Sequence, residues 1–195
     1  MPHIPLGGEV AFGSSDQIGG THVEGLPSHA GAEFSEDRAH RFLLWRSWSY
    51  RPLLGFVMLN PSTANETCDD PTTTRNMERA RRLNYGGIVQ ANLYSFRTKS
   101  PAALKAAGYP GAANEDNPNG EAVKRLFKLC QDVVFAWGAH ARVQDAGRMI
   151  ITANCLWRRD TTRIMHLGRL KNGQPRHPLM TGYGTAPDWG LTQWL

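Results

Sequence analysis

The chain has 195 residues, 41% hydrophobic and 20% charged, which suits one globular domain with a sizeable core and argues against a disordered chain. No stretch reaches the roughly 18 consecutive apolar residues of a membrane span, and the scattered Cys68, Cys130 and Cys155 make neither a disulfide framework nor a CxxC metal ribbon. The net charge is +5, but the first 37 residues hold six acids and no Lys or Arg, so residues 38–195 carry +11.

Arginine outnumbers lysine 17 to 5, and guanidinium forks suit phosphates and base edges. Such a domain fits an anionic partner, nucleic acid foremost, or a soluble basic protein without one. The N-terminus has neither the basic segment nor the apolar run of an export signal, so the cytoplasm is the expected location.

Residues 1–37, with seven glycines and no helical spacing, read as an acidic, extended or irregular arm with a short hairpin across Val10 to Phe12. The arm is expected to cover part of the basic face of a single domain over residues 38–195. Within that domain, strands are predicted at Phe42 to Tyr50 and at Leu53 to Leu59, the second an unbroken apolar run suited to burial on both faces. Asp70-Pro71 reads as a cap and first residue of a helix with Met77, Ala80 and Leu83 inward and Arg75, Arg79, Arg81 and Arg82 outward. A strand follows over Ile88 to Leu93, then a short helix over Pro101 to Ala107 and a loop over Tyr109 to Gly120. Asn117-Pro118 opens another helix, Asp132 to Trp137 is a third central strand, Gly138 to Leu156 is helical, and Arg163 to Leu167 is a last strand before an irregular tail. Strands alternating with helices predict an α/β fold with a short, mainly parallel sheet, whose ligand site lies beyond the carboxyl ends of the strands.

The candidate site residues stand at those ends. Asn60 closes a buried strand before Pro61 and Ser62; an amide there can hold a water or read a base edge, and an Asx turn explains the same dipeptide. His177, stiffened between Pro175 and Pro178 and preceded by Arg176, can stabilise a developing anion or be a surface histidine. The run Asn92 to Arg97 mixes an amide, two aromatics and a guanidinium, as base stacking with phosphate contact requires, or is a strand end with core aromatics. Trp137-Gly138 ends the third central strand. Asp70 is explained as a helix cap, whereas Asp69 is left to bind a metal or orient a base. Cys68 with a distant His166 or His177 is too few ligands, so no metal and no other cofactor is expected. The GxGxxG, Walker A, GxSxG and HExxH motifs are absent.

Taken in order, Leu59 to Ala64, Asp70-Pro71-Thr72, Gly86-Gly87, Asn92-Leu93, Trp137-Gly138 and Gly173 to Leu179 resemble a bacterial and phage family known as domain of unknown function 1643. A more distant resemblance is to the uracil-DNA glycosylase superfamily, with Asn60-Pro61, Asn92, Trp137-Gly138 and His177-Pro178 as counterparts of its ordered motifs. The chain departs from that pattern at Leu59, at Ser62-Thr63 and at Leu179, and the base-stacking Phe has no clear counterpart. The resemblance implies a three-layer α/β/α sandwich. It also implies that Asn60 places an attacking water, Asn92 reads the base and His177 stabilises the departing base anion. The expected function is recognition of a nucleobase or nucleotide, with hydrolysis of an N-glycosidic bond of a modified base in DNA. The alternatives are a non-catalytic nucleic-acid binder and an enzyme of free nucleosides or nucleotides.

Overall fold

The computed structural model describes residues 25–158, 161–182 and 190–194. Most of the acidic arm, including the hairpin expected across Val10 to Phe12, lies outside them. The fold is mixed α/β: strands β1 (Ala30–Phe34), β2 (Arg41–Ser47), β3 (Leu53–Met58), β4 (Gly87–Asn92), β5 (Cys130–Phe135), β6 (Arg163–His166) and β7 (Thr192–Gln193) form one sheet in the order β1-β2-β4-β3-β5-β6-β7. Its helices are α1 (Pro71–Arg82), α2 (Pro101–Ala106), α3 (Pro118–Leu129) and α4 (Val143–Thr152). Among the described residues no helix is long and apolar enough to cross a membrane.

The sheet is mixed rather than mainly parallel. Strands β4, β3, β5 and β6 pair in parallel, whereas β1, β2 and β7 join antiparallel at the flanks. Two of these flanking strands come from segments read as irregular. The small residues of Ala30-Gly31-Ala32 hide a strand from a hydrophobicity pattern, yet Gly31 admits the Trp45 ring so closely that a Cβ there would lie 2.3 Å from it. Glu33 then ties this edge to α3 through a two-bond ion pair with Arg125, both at 2.8 Å.

The apolar runs behave as their patterns require. All six residues of β3 are buried, and alternate side chains feed two cores. Leu53 and Val57 join Leu43, Val89, Val133 and the inward residues of α3 and α4 on one face. Leu54, Phe56 and Met58 join Ile88, Val134 and Ala80 of α1 on the other. Helix α1 starts as expected, with Asp70 Oδ1 accepting from the Thr73 N–H at 2.8 Å and Pro71 in the first turn. The helix expected over Gly138 to Leu156 is divided into a 3-10 turn over Gly138–His140, α4, and a π turn over Ala153–Trp157.

Within the parallel part, the order β4-β3-β5-β6 is 2-1-3-4 in chain order. In open α/β sheets of this winding the ligand crevice opens where the order reverses, here between the carboxyl ends of β3 and β5. Because β2 runs antiparallel to β4, its first residue, Arg41, comes to the same edge.

Candidate functional site

Four connections converge on the carboxyl edge. The loop after β6 folds back over the end of β5 and is fastened to it and to its own start. Gln174 Oε1 accepts from Trp137 Nε1 at 2.5 Å, Pro175 O accepts from the Gly138 N–H at 3.0 Å, and the Arg176 N–H donates to Gly168 O at 2.9 Å. His177 is thereby set against Gly138, and the turn Pro178–Met180 rests on α1. A cleft of about 430 Å³ opens beside this turn, lined by Asp69, Asp70, Pro71, Thr74, Arg75 and Leu179.

His177 is half-buried, and its Nδ1 accepts from the Leu179 N–H at 3.3 Å. Burial holds its pKa below the ordinary value, and the nearby Asp70 carboxylate opposes that shift. Gly138, at φ +76°, turns the chain away from β5 in a conformation that favours glycine.

Asn92 is the last residue of β4 and 1% exposed, yet neither its Nδ2 nor its Oδ1 has a partner. It heads a buried polar seam. Thr73 Oγ1 donates to Gln90 Oε1 at 3.2 Å, which seats α1 on the Gln90 face of β4, and Asn92 shares that face by alternation. Asn76 donates to Met58 Sδ at 3.4 Å, and Arg79 is fully buried on the same inner side. The arginine face expected on α1 is therefore corrected. Arg81 is exposed over Trp48 and Arg82 pairs with Glu78, but Arg79 belongs to the interior.

The other expected residues fall into separate surroundings. Asn60 Nδ2 donates to Thr98 O at 2.8 Å and Pro61 O at 3.0 Å, which pins it to the segment leaving β4. Pro61 is buried and Ser62 half-buried beside it. Asp69 accepts from Arg46 Nε at 2.9 Å, so its carboxylate neutralises a buried guanidinium. Trp137 is 1% exposed and packs among Phe135 and Trp194, so its ring is core and only its indole N–H, bound to Gln174, and its main chain meet the edge. Arg97 lies over Phe34 and donates to Arg38 O, toward the β1 flank. Arg176 is exposed, its stem against Gly168. The contacts thus join His177 to Gly138 and to the start of α1, while Asn60 is bound to the β4 exit. Among the described residues no group of three His, Cys, Asp or Glu could hold a metal ion.

A signal for the seam was present in the sequence. Gln90 and Asn92 put two amides on one side of an otherwise apolar strand, and Thr73, Asn76 and Arg79 repeat every third residue on α1.

This mixed α/β architecture sets a polar edge over a reversal of strand order, the place where open α/β sheets commonly hold their ligands. A family model described as a protein of unknown function, DUF1643, matches residues 41–179, and the chain belongs to that family. Comparison with curated proteins and with solved structures returned no match.

Proposed function

We propose that the chain recognises a nucleobase or nucleotide on a three-layer α/β/α scaffold of the uracil-DNA glycosylase kind, and hydrolyses the N-glycosidic bond of a modified base in DNA. Asn92 carries this reading. An amide buried with both atoms open costs about 1–3 kcal/mol, and a base edge that offers a donor beside an acceptor satisfies both atoms at once.

The neighbouring groups support the chemistry. With Nδ1 accepting from the Leu179 N–H, the proton of the neutral His177 ring is on Nε2, and the lowered pKa keeps the ring neutral at physiological pH. A neutral N–H held in a loop can donate to charge developing on a departing base. Asn60 has its Nδ2 engaged by carbonyls, which leaves Oδ1 to accept from a water. In the reaction the C–N bond breaks with its electron pair leaving on the base. The water oxygen becomes the sugar hydroxyl, and a water proton ends on the base.

The test is incubation with oligonucleotides containing modified bases, followed by chromatography of any free base. Release that Asn60→Ala and His177→Ala each abolish supports the proposal. A second reading, a non-catalytic nucleic-acid binder, is favoured by the occupied Asn60 amide; it predicts salt-dependent DNA affinity without release. A protein with no DNA affinity at low salt defeats both.

A further inference from the structure

Arg41 opens β2 at the carboxyl edge and is 2% exposed. Its Nη1 donates to Ala64 O at 2.9 Å, in the loop leaving β3, and its Nε has no partner. Among the described residues no carboxylate lies within ion-pairing distance of it. The surrounding charges deepen the deficit. Arg46 is engaged by Asp69 and by the carbonyls of Asn65 and Trp45. Arg97 donates to Arg38 O and has a buried Nε without a partner, and Arg38 is paired with Glu66. Asp70 attracts Arg41 from a distance but already caps α1. Burial, with the like charges of Arg97 and Arg46, pushes the Arg41 pKa down to about 10. A buried cation without a counter-charge is unfavourable, and folded proteins keep such groups where something pairs with them.

We infer that Arg41 is the receptor for a phosphoryl group, the anionic part of the ligand whose base meets Asn92. The Nε–H and Nη2–H of a guanidinium point the same way and match two phosphate oxygens side by side; in Arg41 neither makes a hydrogen bond. The main chain brings the two readers together, since the Arg41 N–H donates to Ser95 O, three residues beyond Asn92. The inference rests on the proposed nucleotide reading for the rest of the ligand, but the phosphoryl contact is testable without it.

The full-length chain is titrated with inorganic phosphate at constant ionic strength, following thermal stability and the Nε resonance of Arg41. Saturable stabilisation with a shift of that resonance is expected. Arg41→Gln should weaken phosphate binding by about tenfold or more, Arg41→Lys should retain part of it, and Lys128→Gln should leave it unchanged. An unmoved Arg41 resonance in the wild-type chain, or equal affinity in a folded Arg41→Gln variant, overturns the inference. The resonance decides the matter if Arg41→Gln fails to fold. Parallel titrations with deoxynucleoside 5′-monophosphates and with oligothymidylate lacking terminal phosphates distinguish a free nucleotide from a strand; binding of either supports the receptor. Asn92→Ala should keep phosphate binding while losing preference among bases. Base preference without an Arg41-dependent phosphate effect sinks the receptor alone, whereas phosphate binding without base preference or release sinks the glycosylase reading alone.

Discussion

His177 is packed against Gly138 beside the crevice: a Cβ on Gly138 would lie 3.4 Å from the His177 Cβ, and the Gly138 backbone is at φ +76°. A side chain there is strained by the backbone before any contact is counted. Gly138→Ala should therefore cost about 1–2 kcal/mol in denaturant unfolding, and it should reduce base release beyond what that loss explains by displacing the histidine. Unchanged stability and activity would count against the contact.

The pH dependence follows from two imidazoles, the buried His166 and the half-buried His177. Burial lowers the pKa of both His166 and His177 below 6.5, with Arg169 adding to the shift at His166 and Asp70 opposing it at His177. The unfolded chain binds these protons more readily than the folded one. The stability they contribute is therefore whole above about pH 6.5 and is lost as pH falls toward the folded values. The urea midpoint should be lower at about pH 5.5 than at about pH 7.5, and His177→Gln should flatten the difference. A midpoint that rises on acidification contradicts this account.

Asn92→Ala separates function from stability. If the amide is open for a ligand, the unliganded variant should unfold within about 1 kcal/mol of the wild type or be more stable, while base recognition is lost. A loss of several kcal/mol would mean that the protein itself needs the amide.

Asp69→Asn tests a residue whose contacts are internal. Removing its charge leaves the buried Arg46 without its carboxylate, and a cost of about 1–2 kcal/mol is expected after allowing for partial solvent screening. Base release per folded molecule should be unchanged. A specific loss of release would return Asp69 to the reacting centre.

Salt and the acidic arm form a linked test. DNA affinity should fall at least tenfold between about 50 and 200 mM salt if several arginines neutralise phosphates. Because Ala30–Phe34 is a strand of the sheet, the deletion that probes the arm must stop before it. Removing residues 1–24 should raise affinity at low salt if the arm shields the basic face; unchanged affinity refutes that shielding.

The α/β alternation was legible because β3 is a short apolar run, because β5 carries the apolar Val133, Val134 and Phe135, and because Asp70-Pro71 and Asn117-Pro118 cap helices by local chemistry. The flanking strands β1 and β7 were not: β1 is built of small residues whose partner is the Trp45 ring, and β7 is only two residues long. At the edge, the polar residues after each strand could be read from order alone. The role of Arg79 could not, because an arginine on a helix reads as solvated until its burial on the inner side of α1 is seen. Arg41 escaped notice for the same reason: burial without a carboxylate is a tertiary property.

The loop that carries His177 is held to Gly138 and Gly168 by main-chain atoms, and those bonds do not depend on which side chains stand at 176, 177, 179 and 180. These anchors are thus indifferent to those four side chains, and Gln174 adds a side-chain tie to Trp137. Mutation can redraw the exposed Arg176, Leu179 and Met180 without removing those main-chain bonds, so under the proposed function ligand preference is free to drift over a stationary frame.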